Sequence, residues 1–199
     1  MLGYEKERED IYKVSDKSGL RYKYKIKRSY FMHAAREVAD GAIFDAVLAA
    51  FGGYDSFFIY HSFGAEADTR AIIDKLLEMG KRVYLPRVEG ECLVPVRYFG
   101  KEDELVKNGY GISEPAGGAS EDEKIDVCIT PLLAVNKRGF RLGYGGGYYD
   151  KYFAAHANIL KVGIGYFLQI ADDFVEDALD ERLDKFVCER GIIDFGEQN

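Results

Sequence analysis

The sequence predicts an α/β fold built on a parallel sheet, and three stretches predict it. Residues 56–60 (SFFIY) are a short apolar run with strand character, residues 69–79 set Ile72, Ile73, Leu76 and Leu77 on one helical face, and residues 82–85 are a second strand, stopped at Pro86. Strand, helix, strand in that order is a crossover, and a crossover joins parallel strands. Asp68 or Thr69 caps the helix and Gly80 closes it.

The other elements follow from the same signals. Residues 38–51 carry Val38, Ile43, Phe44, Val47, Leu48 and Phe51 at helical spacing, a core-facing helix ended by Gly52 and Gly53. Residues 92–99 read as a strand that Pro95 confines to a sheet edge. Residues 102–107 read as a short polar helix or loop, and 116–124 as a glycine- and acid-rich surface loop. Residues 125–130 are a buried strand closed by Pro131, residues 148–156 a helix, residues 161–166 a strand, and Phe186, Val187 and Cys188 a last short strand. Residues 1–16 are mostly polar and read as an extension; the folded domain spans 17–199.

A chain of 199 residues suits one domain with a full core. Its net charge of -7 argues against nucleic acid as a partner, so any polyanion site must be a local basic patch. No apolar run approaches the roughly 20 residues that span a membrane, and the charged start MLGYEKERED is no secretory signal. A cytoplasmic protein is expected. Cys92, Cys128 and Cys188 are odd in number and far apart, which reads as reduced, buried thiols. His33, His61 and His156 lack metal-ligand spacing, so no zinc site is expected.

Residues 139–152, GFRLGYGGGYYDKY, hold Gly139, Gly143, Gly145, Gly146 and Gly147 between a strand and a helix. A glycine-rich turn there can aim backbone N–H groups at an anion, and the helix N-terminus adds partial positive charge. Arg141 can grip a phosphate with a fork of donors. Asp150 can hold Mg²⁺, a hard cation that takes carboxylate and phosphate oxygens together. Glycine turns also serve merely to redirect a chain. The spacing matches neither a P-loop nor GxGxxG, because Tyr148 stands where the third glycine belongs.

Two other places bear on chemistry. In the basic stretch Lys17, Arg21, Lys23, Lys25, Lys27, Arg28 and Arg36, most charges read as a solvated helix face. Lys17 and Arg21 differ: four apart, they share a face and can meet one phosphate chain, although Gly19 weakens the helix. After the 56–60 strand comes HSFGAEADT, residues 61–69. Turns at the carboxyl ends of parallel strands are where α/β proteins place ligands. Glu66 there can accept hydrogen bonds from the N–H groups of a ligand, or simply favour the following helix dipole.

The run Arg141-Leu-Gly-Tyr-Gly-Gly-Gly-Tyr-Tyr-Asp150 resembles the signature of the 5-formyltetrahydrofolate cyclo-ligase family. Lys17-Ser-Gly-Leu-Arg21 resembles its N-terminal Lys-x-x-x-Arg. Tyr60, Ser62, Glu66 and Thr69 match its Tyr-x-Ser and Glu-x-x-Thr, with His61 at a position often apolar in the family. Residues 109–115 are similar to its Gly-Ile-x-Glu-Pro, and Gln169 follows the 161–166 strand as in the family. Ala134-Val-Asn136 departs from its Ala-Phe-Asp, and Cys188 stands where Thr is frequent. The resemblance implies a single-domain three-layer α/β sandwich, its mixed, mostly parallel sheet flanked by helices, akin to sugar-isomerase and CoA-transferase folds.

The resemblance also implies a reaction and a site. The reaction is cyclisation of 5-formyltetrahydrofolate to 5,10-methenyltetrahydrofolate, with ATP as co-substrate, Mg²⁺ as cofactor, ADP and phosphate as products, in a monomer. Arg141, Lys17 and Arg21 would act on the phosphates, and Leu142, Gly143, Tyr144, Gly145, Gly146, Gly147, Tyr148 and Tyr149 would complete the ATP site. His61, Glu66 and Tyr148 would touch the folate, and Asp150 and Asp184 would hold the metal. A phosphosugar isomerase or acyl-CoA transferase would use the glycine turn but gives no role to Lys17 with Arg21 or to the two aspartates. A non-catalytic folate- or nucleotide-binding module would not need the metal acids or Arg141.

Overall fold

The computed structural model describes residues 16–119, 124–171 and 174–196. Helices α1 (Lys17–Ser29) and α2 (His33–Phe51) lead to strand β1 (Ser56–Ile59), helix α3 (Arg70–Glu78) and strand β2 (Arg82–Glu89). Strand β3 (Cys92–Tyr98) returns along β2, and β4 (Leu105–Lys107) pairs with β5 (Ser113–Pro115) in a separate ladder. Then come β6 (Val127–Thr130), the short pair β7 (Ala134–Val135) and β8 (Arg141–Leu142), helix α4 (Tyr148–Ala155) and β9 (Leu160–Ile164). A 3-10 turn (Phe167–Gln169), β10 (Lys185–Cys188) and β11 (Gly191–Asp194) complete the order.

The main sheet runs β11-β10-β9-β6-β1-β2-β3. Its inner pairings are parallel, and the edge strands β11 and β3 are antiparallel to their neighbours. The chain moves outward from β1 to β2 and β3, then returns to the other side of β1 as β6. That reversal opens a crevice at the carboxyl ends of β1 and β6, the usual ligand position in such sheets.

Strand alternation sorts the core into two faces. Phe57, Ile59, Val83, Leu85, Val127, Ile129 and Val187 pack with Ile43, Val47 and Phe51 of α2 and Ile72, Ile73 and Leu76 of α3. Phe58, Tyr84, Cys128 and Phe186 point to the opposite face, against Tyr152 and Phe153 of α4. Helices thus cover both faces of a mixed, mostly parallel sheet in one α/β domain. Among the described residues no helix is long and apolar enough to cross a membrane.

Several expectations are corrected. Strand β2 does not stop at Pro86: its pairing with β1 ends at Tyr84, and Pro86 lies opposite Pro95 of β3, so both missing donors fall on one rung. β3 is an edge strand, as Pro95 requires. Residues 105–107 form a strand rather than a polar helix or loop, and β11 follows the strand expected to be last. Helix α2 buries Ala39, Ile43, Val47 and Phe51, a strict four-residue stripe that turns Val38 outward at 75% exposure. Cys92 is exposed, while Cys128 and Cys188 are buried free thiols. The extension expected over residues 1–16 lies, except for Asp16, outside the described residues, as does part of the 116–124 loop.

Candidate functional site

The loop after β1 braces itself. The Thr69 hydroxyl donates to the Tyr60 carbonyl (2.6 Å) and accepts from the Ser62 N–H (2.9 Å), while the Ser62 hydroxyl oxygen accepts from the Thr69 N–H (3.2 Å). The Tyr60 hydroxyl closes the loop on the Ala67 carbonyl. Thr69 holds the N-cap position of α3 without a side-chain cap, and Asp68 takes the Arg70 N–H instead. These bonds fix Glu66, only 6% exposed, at the mouth of the crevice. One Glu66 oxygen accepts from the Tyr144 hydroxyl (2.5 Å), the other from the Phe63 N–H (3.1 Å). Burial pushes this carboxyl above the usual range, against the pull of Tyr144, the Phe63 N–H and Arg28.

The β7–β8 pair sets the glycine turn. The Asn136 side chain accepts from the N–H groups of Arg138 and Phe140, and Gly139 turns with φ 87, returning the chain along β7. Arg141 is thereby buried beside Phe153 (5.1 Å to the ring centre), paired with Asp150 (3.1 Å) and bonded to the Glu181 carbonyl (3.3 Å). Asp150 also accepts from the Glu181 N–H (3.0 Å). Gly147, with φ 66, begins α4 with no side-chain cap. Among the described residues no acceptor is paired with the N–H groups of Gly145, Gly146 and Gly147. Oriented N–H groups at a helix start are suited to an anion.

Helix α1 lies across this turn. Its Asp16 cap accepts from the Gly19 N–H (2.7 Å), which offsets the weakness that Gly19 brings. Leu20, Tyr24 and Arg28 form its buried stripe against Leu133, Leu142 and Phe174. Arg21 donates from Nε to the Gly143 carbonyl (3.1 Å), and its guanidinium crowds Gly145, where a Cβ would stand 3.3 Å from Cζ. Lys17 is held by Asp177 (2.6 Å) and Asp180 (2.5 Å). Beside Glu66, a cavity of about 280 Å³ is lined by polar side chains, among them His33, Arg36, Asp40, Ser62 and Arg70.

The family model for the 5-formyltetrahydrofolate cyclo-ligase family matches residues 13–189. The chain belongs to the 5-formyltetrahydrofolate cyclo-ligase family. As a member it is an enzyme, a ligase of folate metabolism. A Schizosaccharomyces pombe protein described as a probable 5-formyltetrahydrofolate cyclo-ligase is 32% identical over 145 residues, 64% of this chain and 71% of that one. The Escherichia coli K12 5-formyltetrahydrofolate cyclo-ligase is 36% identical over 114 residues, 54% of this chain and 62% of its own length, under two thirds. The solved structure of Aquifex aeolicus 5,10-methenyltetrahydrofolate synthetase superposes with a TM-score of 0.79 at 27% identity, over 92% of this chain and 94% of that one. The Mycoplasma pneumoniae 5,10-methenyltetrahydrofolate synthetase, at 23% identity, shares the fold with a TM-score of 0.70 over 87% of this chain and 99% of that one.

In this cyclo-ligase family member, the residues singled out in the sequence divide by place. Arg141, Asp150, Arg21 and the glycines meet at one turn, and Lys17 joins them through Asp180 and its neighbour Glu181. Leu142 turns its side chain into the core, leaving only backbone for a ligand. The Tyr148 ring packs over Gly146, and Tyr149 packs near Phe58 and Arg141. The Tyr144 hydroxyl points away from the turn, to Glu66. His61 is half-buried beside Arg70 but is not among the residues lining the cavity. Asp184 stands at the start of β10, its carboxylate on the Lys161 N–H (2.7 Å). Sequence reasoning passed over Arg28 as one charge of a solvated face; it is 5% exposed. Its spacing from Leu20 and Tyr24 was the available signal.

Proposed function

We propose that this protein closes the ring of 5-formyltetrahydrofolate to 5,10-methenyltetrahydrofolate at the expense of ATP, acting as a cytoplasmic monomer. The observation that carries the reading is the glycine turn: one side meets Arg141, Arg21 and Asp150, and Tyr144 on the same turn reaches Glu66. Phosphate-type groups and pterin-type groups are therefore neighbours. The unpaired cysteines suit a reducing compartment.

The chemistry explains the residue types. A formamide carbon is a poor electrophile and its oxygen a poor leaving group. Transfer of the γ-phosphoryl group of ATP to the formyl oxygen corrects both, leaving ADP. N10 then attacks the formyl carbon, its proton passes to solvent, and the C–O bond breaks as phosphate departs with the oxygen. Phosphoryl transfer asks a protein mainly for positioning and charge stabilisation. The N–H groups of Gly145–Gly147, with Arg141, Arg21 and Lys17, would hold the phosphates. Glu66 would accept N–H bonds from the pterin, and the Tyr148 ring would wall it.

Magnesium fits the donors present. Among the described residues, Asp150 and Asp184 each keep one carboxylate oxygen without a hydrogen-bond partner, and Mg²⁺ is commonly bound by one or two carboxylates together with phosphate oxygens. When bound, the ion would neutralise phosphate charge.

The test is the absorbance of methenyltetrahydrofolate formed from 5-formyltetrahydrofolate. Product should appear only when ATP and Mg²⁺ are both present, with one ADP per turnover. Product without ATP, or none with both, removes the reading.

A further inference from the structure

We propose that Arg28 is a positioning residue for the folate end of the site: acting through the Tyr144 hydroxyl, it fixes the Glu66 carboxylate in the orientation that receives the pterin. The inference rests on the folate reading above and deepens it.

The geometry is a chain of directed hydrogen bonds. Arg28 Nη2 donates to the Tyr144 hydroxyl (2.8 Å), and that hydroxyl spends its single proton on Glu66 Oε1 (2.5 Å). The direction is forced, because a guanidinium only donates and the phenol has one hydrogen. Arg28 Nη1 is anchored on the Leu132 carbonyl (3.2 Å), just past the carboxyl end of β6. Its Nε is buried with no hydrogen-bond partner, and among the described residues no carboxylate is paired with it. A buried guanidinium left in that state costs stability, since one of its donors lost water and gained no acceptor. Tyr144 bridges it to the Glu66 carboxylate.

Arg28 also ties the two halves of the site to one helix. Arg21, two turns earlier on α1, holds the Gly143 carbonyl. Arg28 holds the side chain of the next residue, Tyr144. The glycine turn is therefore pinned at adjacent positions, by backbone on the phosphate side and by side chain on the folate side. The groups facing Glu66 are Tyr144 and Arg28 from the turn and α1, Tyr60 and Tyr149, the Tyr166 hydroxyl on its carbonyl, and across the cavity His33, Arg36, Glu37, Asp40, Asp68 and Arg70. Arg28 is the cation that lowers its proton affinity.

The test compares Arg28→Gln, Arg28→Lys and Tyr144→Phe in the full-length protein by steady-state kinetics and pH profile. Arg28→Gln should raise KM for 5-formyltetrahydrofolate at least tenfold and KM for ATP less than twofold. Its acid limb of kcat/KM for the folate should move to higher pH, because Glu66 is protonated more readily without the cation. Arg28→Lys should restore the acid limb but not KM. Tyr144→Phe should reproduce both changes, and the double variant Arg28→Gln/Tyr144→Phe should be no worse than the poorer single one. An unmoved acid limb, equal effects on both substrates, or losses that multiply in the double variant overturn the proposal. If Arg28→Gln does not fold, Arg28→Lys carries the test, and an unchanged KM for 5-formyltetrahydrofolate in it overturns the proposal. An inactive wild type strikes the folate reading; an active wild type with indifferent variants strikes only Arg28.

Discussion

Arg141 is a guanidinium held almost out of water, 7% exposed and packed on an aromatic ring. Its role in the proposed reaction cannot be tested by deletion alone. Breaking a buried pair typically costs about 3–5 kcal/mol, a large part of the roughly 5–15 kcal/mol that holds a domain together. Arg141→Lys keeps the charge and most of the volume but loses the fork that reaches Asp150 and the Glu181 carbonyl together. It should lower kcat about 100-fold, the scale of losing one oriented donor, with a thermal melt only a few degrees lower. Unchanged kcat in a folded Arg141→Lys would remove Arg141 from the phosphate site. The turn was legible in the sequence because Gly139, Gly145 and Gly147 answer a local demand, a positive φ. Arg28 was not, because charge argues for the surface and only its stripe-mates Leu20 and Tyr24 argue otherwise.

Helix α1 shows how one element can be ready for a ligand and yet occupied. Lys17 and Arg21 share a face, as four-residue spacing requires, but Lys17 Nζ is taken by Asp177 and Asp180. A phosphate that reaches Lys17 must displace at least one carboxylate. Asp177 is the weaker hold, its side chain 72% exposed, whereas Asp180 also accepts the Asp177 N–H. Exposed ion pairs contribute little to stability, about 0–1 kcal/mol. Asp177→Asn should therefore lower KM for ATP about two- to fivefold, the scale of that competition, and leave the melting temperature within about 2 °C. A raised KM for ATP would mean that Asp177 helps the nucleotide. At this scale the βαβ unit was legible, since the apolar spacing of α3 is strict. The β4–β5 ladder was not, because three-residue strands carry too little pattern, and the run of β2 through Pro86 depends on where its pairing with β1 ends.

The two ends of the sheet carry carboxylates of opposite character. At the carboxyl end, burial raises the proton affinity of Glu66 and Asp40, so their ionisation opposes folding as pH rises. At the amino end, Asp126 ties the start of β6 to the start of β1. Its Oδ2 accepts from the Ser56 hydroxyl (2.8 Å), the Ser56 N–H (3.0 Å) and the Asp55 N–H (3.1 Å). Burial alone would raise this carboxyl; the hydrogen bonds from Ser56 and Asp55 outweigh it and hold it below the usual range. A depressed folded value contributes stability above the unfolded value of about 3.9 and loses it as pH falls through the folded one. Asp126→Asn keeps the shape and one acceptor oxygen for these donors while removing the charge, so the variant should melt about 2–4 °C lower at pH 7, what about 1 kcal/mol gives in a chain of this size. The two melting curves should converge as pH falls below 3.9. Specific activity at 25 °C should not change, because Asp126 lies at the end of β1 and β6 opposite the crevice. A melting difference that persists in acid would mean that the amide itself fits the turn badly, and that the carboxylate's charge is not what joins the two central strands.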